Sequence, residues 1–245
     1  MGKVTSIGAI ALVLIMLSAC GSASEALPAV APAKEKAKLV ANTYRDGKIE
    51  IDYPQLEGMP DKGKQQAINE TLRGRALEGA RYYEGAEGEV TLDVDYAAEL
   101  RPAGLLSVIY TGMGNVEGAA HPTNHFYASN IDLNAGKALA LHDLVTIDGA
   151  FVQKLRQAKP KDSDPDSAEQ AARRYLDEQN DESGWLAMFG DADLGHEGEP
   201  FSYVTKDALG VSFNVPHVMG DHVELELPIG ELEGMLTPLG QKLLK

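Results

Sequence analysis

The chain has 245 residues, with 22 basic against 37 acidic side chains and a net charge of −15 at neutral pH. That balance argues against a nucleic-acid binder, because polyphosphate is repelled at every approach. A single cysteine, Cys20, excludes an intramolecular disulfide.

At the front, Lys3 is the only charge before an apolar run from Ile7 to Leu17. About eleven residues suit the hydrophobic stretch of a secretory signal and fall short of the roughly 20 that a spanning helix needs. Leu17-Ser18-Ala19-Cys20 follows and resembles a bacterial lipobox. Residues 1–19 are thus expected to be a lipoprotein signal peptide, with Cys20 as the site of lipid attachment to the membrane. The expected location is the cell envelope: the outer membrane where there are two membranes, the outer face of the cytoplasmic membrane where there is one. Only six residues precede the apolar run, so no cytoplasmic segment is expected. Without the signal, 21 basic residues stand against 37 acidic ones, a net charge of −16. Residues 20–44 are rich in Ala, Pro and Ser and read as a flexible tether. Residues 45–245 suffice for one domain, or two intimate lobes over about 45–115 and 116–245.

Ile49, Ile51 and Tyr53 alternate with polar residues and predict a strand stopped by Pro54. Asp61 opens a helical pattern that runs to about Tyr83, with Ile68, Leu72, Ala76, Ala80 and Tyr83 on one stripe. Strands are expected at 89–97 and 105–111, joined as a hairpin by Pro102-Ala103-Gly104. A Gly-rich connection spans 112–120, and 125–133 reads as the next strand. Asn134-Ala135-Gly136-Lys137 turns the chain toward a short helix at 142–145. Helices are expected at 150–157 and 166–180, the latter with Asp164 as its cap and Pro165 in its first turn. Strands follow at 201–205, 210–215 and 222–228, then a helix over 230–244 interrupted near Pro238. Antiparallel strand pairs with separate packed helices make the fold class α+β.

Few residues offer chemistry. His121 and His125 are four apart, a zinc spacing on a helix, but Pro122 and the extended sequence after it remove that helix. The zinc-protease pattern wants Glu after its first His, where Pro122 stands, and the Thr-Phe-Asp-Asp run of polysaccharide deacetylases has no counterpart. The acidic stretch 191–197 lacks the Gly and the closing Glu of a helix-loop-helix calcium site. There is no Gly-x-Ser-x-Gly elbow and no phosphate loop. Asp93 and Asp95 share a strand face that reads as solvated, and Trp185 reads as a core anchor. Neither catalytic residues, nor a metal, nor a cofactor are expected.

Six short stretches, in order, point elsewhere. Leu105-Leu106-Ser107 is followed by Gly118-Ala119-Ala120-His121-Pro122, then by Asp132-Leu133-Asn134-Ala135-Gly136-Lys137 and Leu141-His142-Asp143-Leu144-Val145. "FSYVTKDALGVSFNV" and "VELELPIGEL" close the series. From about Ile49 to Leu236 the chain resembles the extracytoplasmic RsiV-like domain of lysozyme-sensing anti-sigma factors. That domain is also found N-terminal in peptidoglycan deacetylases and in uncharacterised lipoproteins. The resemblance implies a non-catalytic binding protein whose partner is lysozyme or another cationic muramidase-like protein, with a peptidoglycan-binding accessory lipoprotein as the alternative and a hydrolase behind both. It makes Gly118, His121 and Pro122 a structural loop motif. Asn124 beside that loop, and His217, Met219 and Asp221, are the expected partner contacts. The loop between Pro216 and His222 is shorter than the family's, which is the part that helps RsiV-type receptors grip lysozyme.

Overall fold

The protein is described from a computed structural model covering residues 37–158, 164–196 and 198–245. Cys20 and residues 20–36 of the expected tether lie outside these residues. The fold is α+β, built on two sheets.

The first sheet has six strands in sequence order: β1 (Lys38–Asp46), β2 (Lys48–Glu57), β3 (Val90–Leu100), β4 (Leu105–Val116), β5 (Thr123–Asp132) and β6 (Lys137–Leu139). All neighbours are antiparallel except β2 and β3, which pair in parallel over Lys48–Ile51 and Thr91–Val94. A parallel pair needs a crossover. Here it is α1 (Lys62–Ala76) and α2 (Glu78–Tyr82). Asp61 caps α1 by accepting from the Lys64 N–H, as the sequence predicted, but the helix breaks at Leu77 and does not run unbroken to Tyr83.

Three expectations are corrected by this sheet. The tether was to reach Tyr44, yet Lys38–Asp46 is a strand, which tucks Leu39 and Tyr44 against the core. Pro54 does not stop β2; the ladder to β3 ends at Ile51, so the Pro lies where no N–H is needed on that side. The connection at 112–120 is strand as far as Val116. Gly112 is required there: a Cβ would overlap the carbonyl oxygen of Asp93 on the neighbouring strand.

The second sheet, β7 (Phe201–Val204), β8 (Ala208–Asn214) and β9 (His222–Pro228), is an antiparallel meander. It packs on the outer face of β4 and β5, where Phe126 and Ala128 meet Tyr203. Asn130 Nδ2 donates to Ser202 O and Oγ, both at 2.9 Å, and the Val204 N–H donates to Ser107 Oγ at 2.8 Å. Since β5 and β6 belong to the first sheet, a lobe boundary at 116 would cut that sheet; residues 35–245 form one compact unit.

Two cores result. One lies between α1 and the first sheet, with Ile51, Leu72, Val94, Val108 and Tyr110 fully enclosed. The other lies between the second sheet and the helices α3 (Leu141–Leu144), α4 (Gly149–Arg156), α5 (Ala168–Gln179), α6 (Glu182–Gly190) and α7 (Pro238–Leu244). Trp185 anchors it, with Phe189 and Phe213 at 5.6 and 5.5 Å between ring centroids. Two helix starts differ from expectation. Ser167, not Asp164, caps α5, and Pro238 begins α7 instead of interrupting a longer helix. Among the described residues, no helix is long and apolar enough to cross a membrane.

Candidate functional site

The second sheet covers β4 and β5 only, and this leaves the same face of β1–β3 open to solvent. Strand alternation puts Thr91, Asp93, Asp95 and Ala97 of β3 on that face, all exposed. The register sets Glu50 of β2 beside Asp93. Asp52 lies two residues further along β2, where Thr43 Oγ1 donates to it at 2.5 Å. Two bases share this face: Arg45, paired with Glu50 at 2.5 Å, and Lys48, beside Thr91 and paired with Glu89 at 2.5 Å. Asp93 is in turn opposite Met113, and Met113 opposite Asn124. The acidic face thus runs across the sheet into the two loops singled out from the sequence. A shallow hollow of about 470 Å³ marks the junction, between Glu50, Asp93, Met113 and Pro122.

Those loops, far apart in sequence, are braced against each other. The His121 and His217 rings stack 3.5 Å apart and within 5° of parallel. His217 Nδ1 lies 3.0 and 3.1 Å from the two Asp221 carboxylate oxygens. The same carboxylate accepts the Asn124 backbone N–H at 2.8 Å. Burial by itself raises the Asp221 pKa; the hydrogen bonds from Asn124 and His217 outweigh it and hold the carboxyl below its ordinary value. Asp221 has φ +71°, a left-handed conformation that Asp tolerates better than most residues.

The expected contact residues therefore divide by role. Asn124 keeps an exposed side chain while its N–H is engaged, and His217 offers one ring face to His121. Asp221 is a brace. Met219 packs inward against the second core. The apolar residue facing out of this short turn is Val218, 86% exposed, joined by Met113 at 54%. Gly118, φ +86°, shapes the turn before His121, with nothing near its missing Cβ.

His125 does not accompany His121. It begins the inward face of β5, 7% exposed, with its Nε2 2.9 Å from the Tyr83 hydroxyl. Burial lowers its pKa, with Asp221 opposing and His222 adding to the fall. Beside it a groove of about 870 Å³ runs along β5 between α2 and the turn before β7. Its floor includes His125 and Phe201, and Tyr82 stands on its rim, 65% exposed. Among the described residues no group of three or more His, Cys, Asp or Glu is placed to hold a metal ion.

In the acidic stretch 191–197, Asp193 turns inward. It accepts from the Ser202 N–H at 2.8 Å and from Ser202 Oγ at 2.5 Å. Burial pushes its pKa up to about 7 against those hydrogen bonds. Glu199 Oε2 is taken by the N–H groups of Gly195 and His196, at 2.5 and 3.0 Å. These carboxylates tie the turn to the second sheet.

No family model matches the chain, and no curated relative does. Among solved structures it is similar to a DUF3298 family member from Bacteroides fragilis NCTC 9343, at 16% identity over 84% of this chain and 94% of that one, with a TM-score of 0.48. A DUF3298 family protein from Pseudomonas aeruginosa PAO1 is similar at 17% identity over 83% and 95%, with a TM-score of 0.43.

Proposed function

We propose that the protein is a non-catalytic, lipid-anchored binding module of the bacterial cell envelope. It takes a cationic protein on the open acidic face of β1–β3 and on the braced loops beside it. The observation that carries this reading is the continuity of the row Glu50–Asp93–Met113–Asn124 with the His121–His217 stack. Acidic groups steer a cationic partner inward, and preorganised loops with exposed Met113 and Val218 then hold it. The motif resemblance makes lysozyme, or another muramidase of that charge, the partner to try first. Attachment to the membrane is assigned to the Cys20 lipid; metabolic labelling with a fatty-acid analogue should mark the protein and miss a Cys20→Ser variant.

The binding test is surface plasmon resonance with lysozyme from 0.05 to 1 M salt. Screening length falls from about 10 Å at 0.1 M to about 3 Å at 1 M, so the association rate should drop steeply and the dissociation rate much less. Absence of binding at low salt would exclude lysozyme.

One observation favours a second reading, glycan binding. Tyr82, Tyr83 and His125 form an edge-to-face aromatic cluster at the groove, with centroids 4.9 to 5.5 Å apart. A Tyr82→Ala change that weakens binding to purified peptidoglycan would support that reading.

A further inference from the structure

Among the described residues β1 is an uncovered sheet edge. It runs nine residues without a proline, and its ladder among those residues is with β2 alone. Edges of this kind are usually blunted by charges, bulges or Pro, because their free N–H and C=O groups template another strand.

The direction of those groups follows from the hairpin. Asp46 and Ile49 flank the two-residue turn Gly47-Lys48 and form a hydrogen-bonded pair, so even-numbered residues of β1 bond to β2. Pro54 confirms the parity: it lies opposite Ala41, an odd position, where no N–H is needed toward β1. Leu39, Ala41, Thr43 and Arg45 therefore direct their backbone groups outward, and no partner for them is found among the described residues.

We infer that β1 pairs antiparallel with β1 of a second copy, about a twofold axis at Asn42. This register sets the outward residues against one another, Leu39 opposite Arg45 and Ala41 opposite Thr43, and satisfies every outward group. It also sets Lys38 against Asp46 at both ends and Val40 against Tyr44 between them. A shift of the axis by one residue either way loses the Lys38–Asp46 match. Opposite charges and an aromatic facing a β-branched residue are the favourable cross-strand pairs. The axis is perpendicular to the sheet, so the acidic faces of the two copies lie on one side of a continuous sheet. This inference does not depend on what that face binds.

Single cysteines test it in the full-length chain, in membranes of the cell that makes it, with mild oxidant. At the axis, Asn42 meets its copy in a non-hydrogen-bonded pair, with Cα atoms about 4.5 Å apart, within disulfide reach. Asn42→Cys should give a covalent dimer well above the wild-type background. Lys38→Cys should not, because its copies lie ~26 Å apart at about 3.3 Å per residue. Adding Ala41→Pro to Asn42→Cys removes an outward N–H and should abolish the dimer while the melting temperature holds. No excess dimer from Asn42→Cys, or as much from Lys38→Cys, would overturn the inference. So would a dimer that survives Ala41→Pro.

Discussion

Asp221 carries two duties that can be separated by choice of substitution. Its carboxylate joins the His217 turn to the Asn124 strand end, and its backbone holds φ +71°. In Asp221→Ala both hydrogen bonds are lost. A net bond to a charged group contributes about 1.5–3 kcal/mol when enclosed, and less where water can replace it. Asn124 is exposed and the Asp221 side chain 14% accessible, so the two together should contribute about 2 kcal/mol. Alanine adds strain of about 1 kcal/mol at that φ. Asp221→Ala should thus cost about 3 kcal/mol and Asp221→Gly, which relieves the strain, about 2 kcal/mol. For a domain of this size that is about 6–12 °C and 4–8 °C in Tm. Urea titrations with matched m-values give both numbers. Variants within 0.5 kcal/mol of wild type, or a glycine variant less stable than the alanine one, would refute the reasoning.

Gly112→Ala should destabilise by more than about 2 kcal/mol because the obstacle is backbone, whereas Gly118→Ala should cost about 1 kcal/mol from its positive φ alone; equal losses in denaturant titration would contradict this. Asp193 binds its proton more tightly folded than unfolded, so its contribution is full below about pH 4 and lost as pH rises through about 7. Asp193→Asn should therefore flatten the fall in stability between those values, on the order of 4 kcal/mol at most. His125, with a lowered pKa, acts in the opposite sense: its neutral form stabilises above the ordinary histidine range, and acid removes that. The Asp193 effect is read as the difference between wild type and variant across pH, and parallel profiles would contradict it.

Alternation and turn residues made the strands legible, since period-2 patterns such as Val90-Leu92-Val94-Tyr96 state which face is inward. Where local pattern and tertiary setting diverge, the reading failed. β1 has only Leu39, Val40 and Tyr44 as large apolar residues, and its strand state comes from pairing with β2. Gly112 and Gly114 look like a loop, yet they sit in a strand because the neighbouring strand and Tyr83 come too close for a side chain. Of helix α6 the sequence reads only Trp185, as a core anchor, because the apolar run Trp185–Phe189 goes round the helix and shows little helical period although only Trp185 and Phe189 are buried.

The site was legible in part. His121, Asn124, His217 and Asp221 were named from motif position, but their mutual contact depends on pairing across the fold that no local spacing encodes. The acidic face was half visible. Asp93 and Asp95 announce an exposed face, whereas Glu50 and Asp52 join it through a parallel pairing that sequence does not show. Val218 was missed in favour of Met219; the Pro216 and Gly220 that bound the turn were the available signal that it protrudes.

The most direct test of the acidic face as the docking surface compares two double charge reversals with the same net change. One is Asp93→Lys with Asp95→Lys on the face; the other is Glu178→Lys with Glu233→Lys, exposed elsewhere. Association rates with lysozyme at 0.05 M salt should fall on the order of tenfold for the first pair and far less for the second. Equal falls for both pairs would mean that net charge alone draws the partner, and would contradict a docking site on β1–β3.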